Sequence, residues 1–132
     1  MKLLTALLVF FLALPLAAQQ VVIREAEMIR RLDKRRGSSF EWAVVQMCNG
    51  RFAEFKGKRD SVQIPRGVCA VAFGHNHPKG NPANGGGRMP SATDLENAKR
   101  FPSIVFYVRG STGIISRIVG TDFQVIRQST GD

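Results

Sequence analysis

The chain has 132 residues, 44 % hydrophobic and 22 % charged, with 19 Lys and Arg against 10 Asp and Glu for a formal net charge of +9. That length gives one small core and leaves no room for a second domain. The positive balance favours anionic partners such as nucleic acid, an acidic envelope surface or an acidic protein, and equally serves only to keep a small protein soluble. Few aromatics are interleaved with the basic residues, which argues against a stacking platform for single-stranded nucleic acid.

Met1-Lys2, the apolar run Leu3 to Leu14 and then Pro15-Leu16-Ala17-Ala18 read as a secretory signal peptide over residues 1–18, cleaved after Ala18. The apolar run is too short to span a bilayer comfortably, so no stable membrane anchor is expected. The working protein is then residues 19–132, a single domain, secreted or periplasmic. Val21 to Arg36 reads as a helix, with Val22, Ala26, Ile29 and Leu32 on its apolar face, Ile23 and Met28 flanking it, and a basic remainder. Gly37 is its stop. Packing on one face of a sheet is favoured over lying on a membrane surface.

Glu41 to Cys48 reads as a strand. Asn49-Gly50 is a hairpin signal, and Arg51 to Lys56 returns as the partner. Residues 57–67 are a polar connection in which Ser61-Val62-Gln63-Ile64 alternates as a short edge strand. Val68 to Phe73 is an apolar run that reads as a buried strand ending in Gly74-His75-Asn76-His77-Pro78. Antiparallel pairing of 41–48 with 68–75 brings Glu41 to His75 and Cys48 to Cys69, the two pairs differing by one register step, so a bulge is required. In an exported chain two cysteines usually form one disulfide, here Cys48–Cys69.

Thr93 to Arg100 reads as a second helix. Strands follow over Ser103 to Arg109, Ile114 to Val119 and Phe123 to Arg127, and the tail Gln128 to Asp132 is expected to fray.

His75 and His77 are the only histidines. In extended backbone, i and i+2 point to one face, so the two imidazoles can hold one zinc if a third ligand arrives. Asp94, in the first turn of the second helix, is the candidate. Two His and one carboxylate leave a fourth position open, as in catalytic zinc sites. Ser91 and Asp94 also read as a helix N-cap and its capping-box partner.

The pattern Glu…His-x-His-Pro…Ser-x-x-Asp resembles the signature of the JAMM (MPN-plus, JAB-domain) metallopeptidases, and His75 to Pro82 looks most like the RadC-type bacterial branch. The likeness covers roughly residues 38–128. The twelve residues between Pro78 and Ser91 are about twice the family's usual number, so residues 83–89 read as an insertion, which a surface loop tolerates. The resemblance implies an α/β fold, a mixed, largely antiparallel sheet flanked by helices (a cytidine-deaminase-like α-β-α sandwich). It implies Zn2+ on His75, His77 and Asp94, Glu41 as the catalytic carboxylate and Ser91 as a hydrogen-bond donor to the transition state. Glu54, mid-strand, reads as solvent-facing, and Glu25 and Glu27 as surface pairs.

The expected function is an exported zinc metallopeptidase cutting peptide or isopeptide bonds in a peptide or protein substrate, acidic ones included. The alternatives are a metal-binding interaction module without turnover, and a nucleic-acid-acting metal hydrolase supported only by the basic charge.

Overall fold

A computed structural model describes residues 21–79 and 87–132. The signal peptide 1–18 and residues 83–86 of the insertion lie outside the described residues. The elements in chain order are α1 (Glu25–Asp33), β1 (Trp42–Met47), β2 (Phe52–Lys56), β3 (Ala70–Asn76), α2 (Ala92–Arg100), β4 (Val105–Arg109), β5 (Ile115–Val119) and β6 (Asp122–Arg127). The strands form one sheet in the order β2-β1-β3-β4-β5-β6. β3 and β4 are parallel, joined through α2, and the other neighbours are antiparallel. The protein is thus α/β with a mixed, largely antiparallel sheet, as expected.

Alternation of side chains along each strand divides the core into two layers. Ala43, Val45, Phe73, Phe106, Val108 and Ile118 pack with Ala98 of α2. Val44, Ala72, Tyr107 and Ile115 pack with Met28 and Leu32 of α1 on the other face. Gly74 lets α1 lie close to β3, because a Cβ there would meet Met28 Sδ at 2.7 Å. Among the described residues no helix is long and apolar enough to cross a membrane.

Several expectations change. The first helix starts at Glu25 rather than Val21, because the buried Gln46 side chain captures the preceding backbone: Gln46 Oε1 accepts the Arg24 N–H, and Gln46 Nε2 donates to the Val22 carbonyl. Its buried residues are Met28 and Leu32, whereas Val22 is 78 % exposed and Ala26 is exposed. Residues 61–64 form no strand; Val62 and Ile64 instead pack against the layer under α2. The tail is tied down rather than frayed. Thr130 N–H donates to the Thr112 carbonyl, and Asp132 pairs with Arg109 and Arg36. Glu54 is not simply solvated, since its carboxylate takes Arg31 and Arg35 of the α1 segment.

The Cys48–Cys69 disulfide is present, with Cα atoms 5.4 Å apart. The bulge falls between Gln46 and Met47, and below it the register sets Ala43, not Glu41, opposite His75. Glu41 therefore stands two residues beyond its expected partner, past the end of β1. Its backbone is fixed there by the Glu41 N–H to the Lys58 carbonyl and the Gly57 N–H to the Glu41 carbonyl.

Candidate metal centre

The site forms where β3 runs out against the start of α2. His75 and His77 share the face of β3 that carries Phe73, the face covered by α2. The strand position of His77 is held by its N–H, which donates to the Arg109 carbonyl of β4 at 2.8 Å. Both rings are buried, and their Nε2 atoms stand 3.1 Å apart. Asp94 enters from the first turn of α2. Ser91 caps that helix: its Oγ accepts the Asp94 N–H at 3.1 Å, and its N–H donates to Asp94 Oδ2 at 2.8 Å. This reciprocal capping box fixes the carboxylate rotamer, so the local helix signal and the site geometry are one arrangement.

Asp94 Oδ1 lies 3.1 Å from His75 Nε2, and Oδ2 lies 3.2 Å from His77 Nε2. Glu41 Oε1 is 3.8 Å from His75 Nε2. One oxygen of Glu41 and one ring nitrogen from each histidine lie within 4.8 Å of one another, and this buried group can hold a metal ion. The spacing suits a small divalent ion. A tetrahedral centre with bonds of about 2.0–2.1 Å sets its donor atoms about 3.3 Å apart, close to the His–His and His–Asp separations. The second ring nitrogens, Nδ1 of His75 and His77, are buried and have no hydrogen-bond partner among the described residues.

Burial pushes the Glu41 carboxyl above its ordinary pKa, and the nearby His75 and His77 offset only part of that. Burial acts in the same upward sense on Asp94, but hydrogen bonds from His75 and His77 outweigh it and hold its carboxyl far below the ordinary range. For His75, burial favours the neutral ring, but the Asp94 hydrogen bond and the Asp94 and Glu41 charges carry its pKa upward. The two carboxyls are thus pushed in opposite directions. Asp94 is held toward the anion by its histidine partners, and Glu41 is pushed toward the protonated form by burial.

A cleft of about 460 Å³ opens over the group, walled by Phe73, Val62, Ser61, Asp60, Thr93 and Asn97 among others. All five residues singled out in the sequence line it: Glu41, His75, His77, Ser91 and Asp94. Sequence reasoning missed Asn76. It lies on the opposite face of β3 from the histidines and is 2 % exposed. Its Oδ1 accepts the Trp42 N–H, and its Nδ2 donates to the Phe40 carbonyl. A buried Asn between two site histidines, one residue out of phase with them, was the available signal.

No protein-family model matches the chain, and no curated protein matches it. Fold and site define the class: an α/β protein with a buried histidine–carboxylate group, able to hold a metal ion, at the end of a central strand.

Proposed function

We propose that this chain is an exported zinc-dependent hydrolase of peptide or isopeptide bonds, of the JAMM type, with the JAB/MPN fold. The observation that carries the reading is the convergence of His75, His77 and Asp94, with Glu41 beside them, at the floor of one open cleft. The donor set of two imidazoles and one carboxylate matches the preference of zinc for nitrogen and oxygen ligands. Zinc bound there supplies Lewis acidity and makes water a nucleophile near neutral pH.

The chain's own residues do the rest. His75, His77 and Asp94 hold the ion. Glu41, its carboxyl biased toward proton uptake by burial, takes a proton from the attacking water and returns it to the leaving amine. Ser91 Oγ spends a lone pair on the Asp94 N–H, so its own O–H is free to donate to the oxyanion that forms on the attacked carbonyl. Phe73 and Val62 give the cleft an apolar wall, which strengthens these charge interactions by lowering the local dielectric.

The test is metal content of the purified protein beside the His77→Ala variant, followed by a peptide-library screen with the zinc-loaded protein. About one zinc per chain in wild type, lost in the variant, together with peptide turnover, is expected. A folded wild type that takes up no zinc overturns the reading.

A further inference from the structure

A second, smaller pocket of about 140 Å³ lies on the other side of the β3 end, and His77 lines both it and the cleft. Its wall includes Arg35, Arg59, Lys79 and Arg109, with Ser38 and Ser39 from the turn after α1, and none of its lining residues is acidic. Two of the four cations are already matched: Arg35 by Glu54, and Arg109 by Asp33 and Asp132. Arg59 and Lys79 are exposed and have no acidic partner among the described residues. Neither residues 1–20 nor residues 80–86 contain an Asp or Glu that could supply one. Two unmatched cations at one small pocket favour an anion there, and a guanidinium fork suits a carboxylate.

We infer that this pocket binds a carboxylate of the substrate peptide, placing an acidic group next to the bond held over His77. The inference rests on the proposed hydrolase reading and names its substrate class: peptides with a side-chain or terminal carboxylate near the scissile bond. Arg59 supplies the planar fork, Lys79 a mobile point charge, and the Ser38 and Ser39 segment polar groups at the rim.

Three peptides separate the sources: acetyl-Gly-Glu-Gly-amide, acetyl-Gly-Gln-Gly-amide, and acetyl-Gly-Gln-Gly with a free terminal carboxylate. Each is titrated by NMR chemical shift into the protein as purified and after zinc addition, for wild type and an Arg59→Gln/Lys79→Gln double variant. At least one carboxylate peptide is expected to bind about tenfold or more tighter than the neutral one, the scale of a charge-assisted hydrogen bond. Which of the two binds identifies side-chain or terminal recognition. The preference is expected to shrink with salt and to vanish in the double variant. Both substituted side chains are exposed, so the variant's dispersed spectrum checks that the fold is kept. Equal binding of the neutral peptide, a preference that survives in the double variant, or no binding of either carboxylate peptide overturns the inference. The preference is read without turnover. A carboxylate preference in protein that takes up no zinc therefore sinks the hydrolase reading alone, and turnover without the preference sinks the pocket alone.

Discussion

Asn76 fixes the backbone on both sides of Glu41: its Oδ1 accepts the Trp42 N–H at 2.7 Å, and its Nδ2 donates to the Phe40 carbonyl at 3.1 Å. One side chain thus ties the residue between the two site histidines to the strand entry that carries the glutamate. The consequence is that the catalytic carboxylate of the proposed mechanism is placed from the face of the sheet opposite the cleft. Asn76→Ala should destabilise the fold by about 1–3 kcal/mol, the cost of leaving a buried donor unpaired. The Phe40 carbonyl also accepts from Ser38 Oγ at 2.8 Å, so most of the cost falls on the Trp42 N–H. Asn76→Asp retains an acceptor for that N–H but loses the donor to Phe40 and buries a carboxylate, so it should also fall below wild type. Urea unfolding midpoints at unchanged m-value check this; an alanine variant as stable as wild type would contradict it.

Glu41→Gln keeps size and removes the titratable carboxyl. Under the proposed mechanism it should retain zinc while losing peptide hydrolysis by about 100-fold or more, the usual contribution of a general acid–base. Metal content and turnover measured on the same preparation separate the two effects. Full turnover in this variant would move the base elsewhere, with Asp60 at the rim of the cleft the next residue to test.

The site was legible because its parts obey local rules. His75 and His77 share a strand face by period two, Ser91 and Asp94 form a capping box by their spacing, and Cys48 and Cys69 align once two strands pair. What was not legible is what distant side chains decide. The sequence around Val21 to Arg24 has the helical apolar spacing, yet Gln46 from β1 takes its backbone groups and holds it out of the helix. The bulge was expected, but its extra residue lies in β3 rather than in β1, which moved Glu41 two residues past His75. The polar tail looked free because its partners, Thr112 and Arg109, come from other elements. Asn76 was passed over because alternation says only that it faces away from the histidines, not that Phe40 and Trp42 stand there to meet it.

The disulfide closes a loop between residues 21 apart in sequence that contains the β1–β2 turn, all of β2 and the connection up to Cys69. Its effect falls largely on the unfolded chain, where it removes loop freedom. The Cys48→Ser/Cys69→Ser variant should be about 2–4 kcal/mol less stable. A thermal melt should show this as a drop on the order of 10 °C or more for a domain of this size. Wild type melted under reducing conditions should approach the same curve. Because the cross-link lies at the end of β1 remote from Glu41, zinc content of the folded variant should be unchanged.

Asp33 gathers two arginines from the sheet face that α1 covers. Arg109 Nε donates to its Oδ1 at 2.9 Å, and Arg127 donates to both oxygens at 2.7 and 2.8 Å, joining the end of α1 to β4 and β6. The Arg127 hydrogen bonds hold the Asp33 carboxyl below its ordinary pKa against the opposing effect of burial, with Arg109 adding to them. A carboxyl whose folded pKa is depressed stabilises the fold fully above its unfolded value, about 3.9, and loses that contribution as pH falls through the folded value. Wild-type stability should therefore fall as pH drops below about 5, with Asp94 and Asp132, whose carboxyls are also held low, contributing in the same sense. In Asp33→Asn the amide cannot titrate and pairs less strongly with Arg127, so the variant should be less stable at pH 7 and show a shallower acid limb. Urea unfolding from pH 7 to pH 3 measures both. Parallel curves for the two proteins would mean that the arginines bind a neutral amide as well as the carboxylate, and that the ion pair adds nothing beyond its hydrogen bonds.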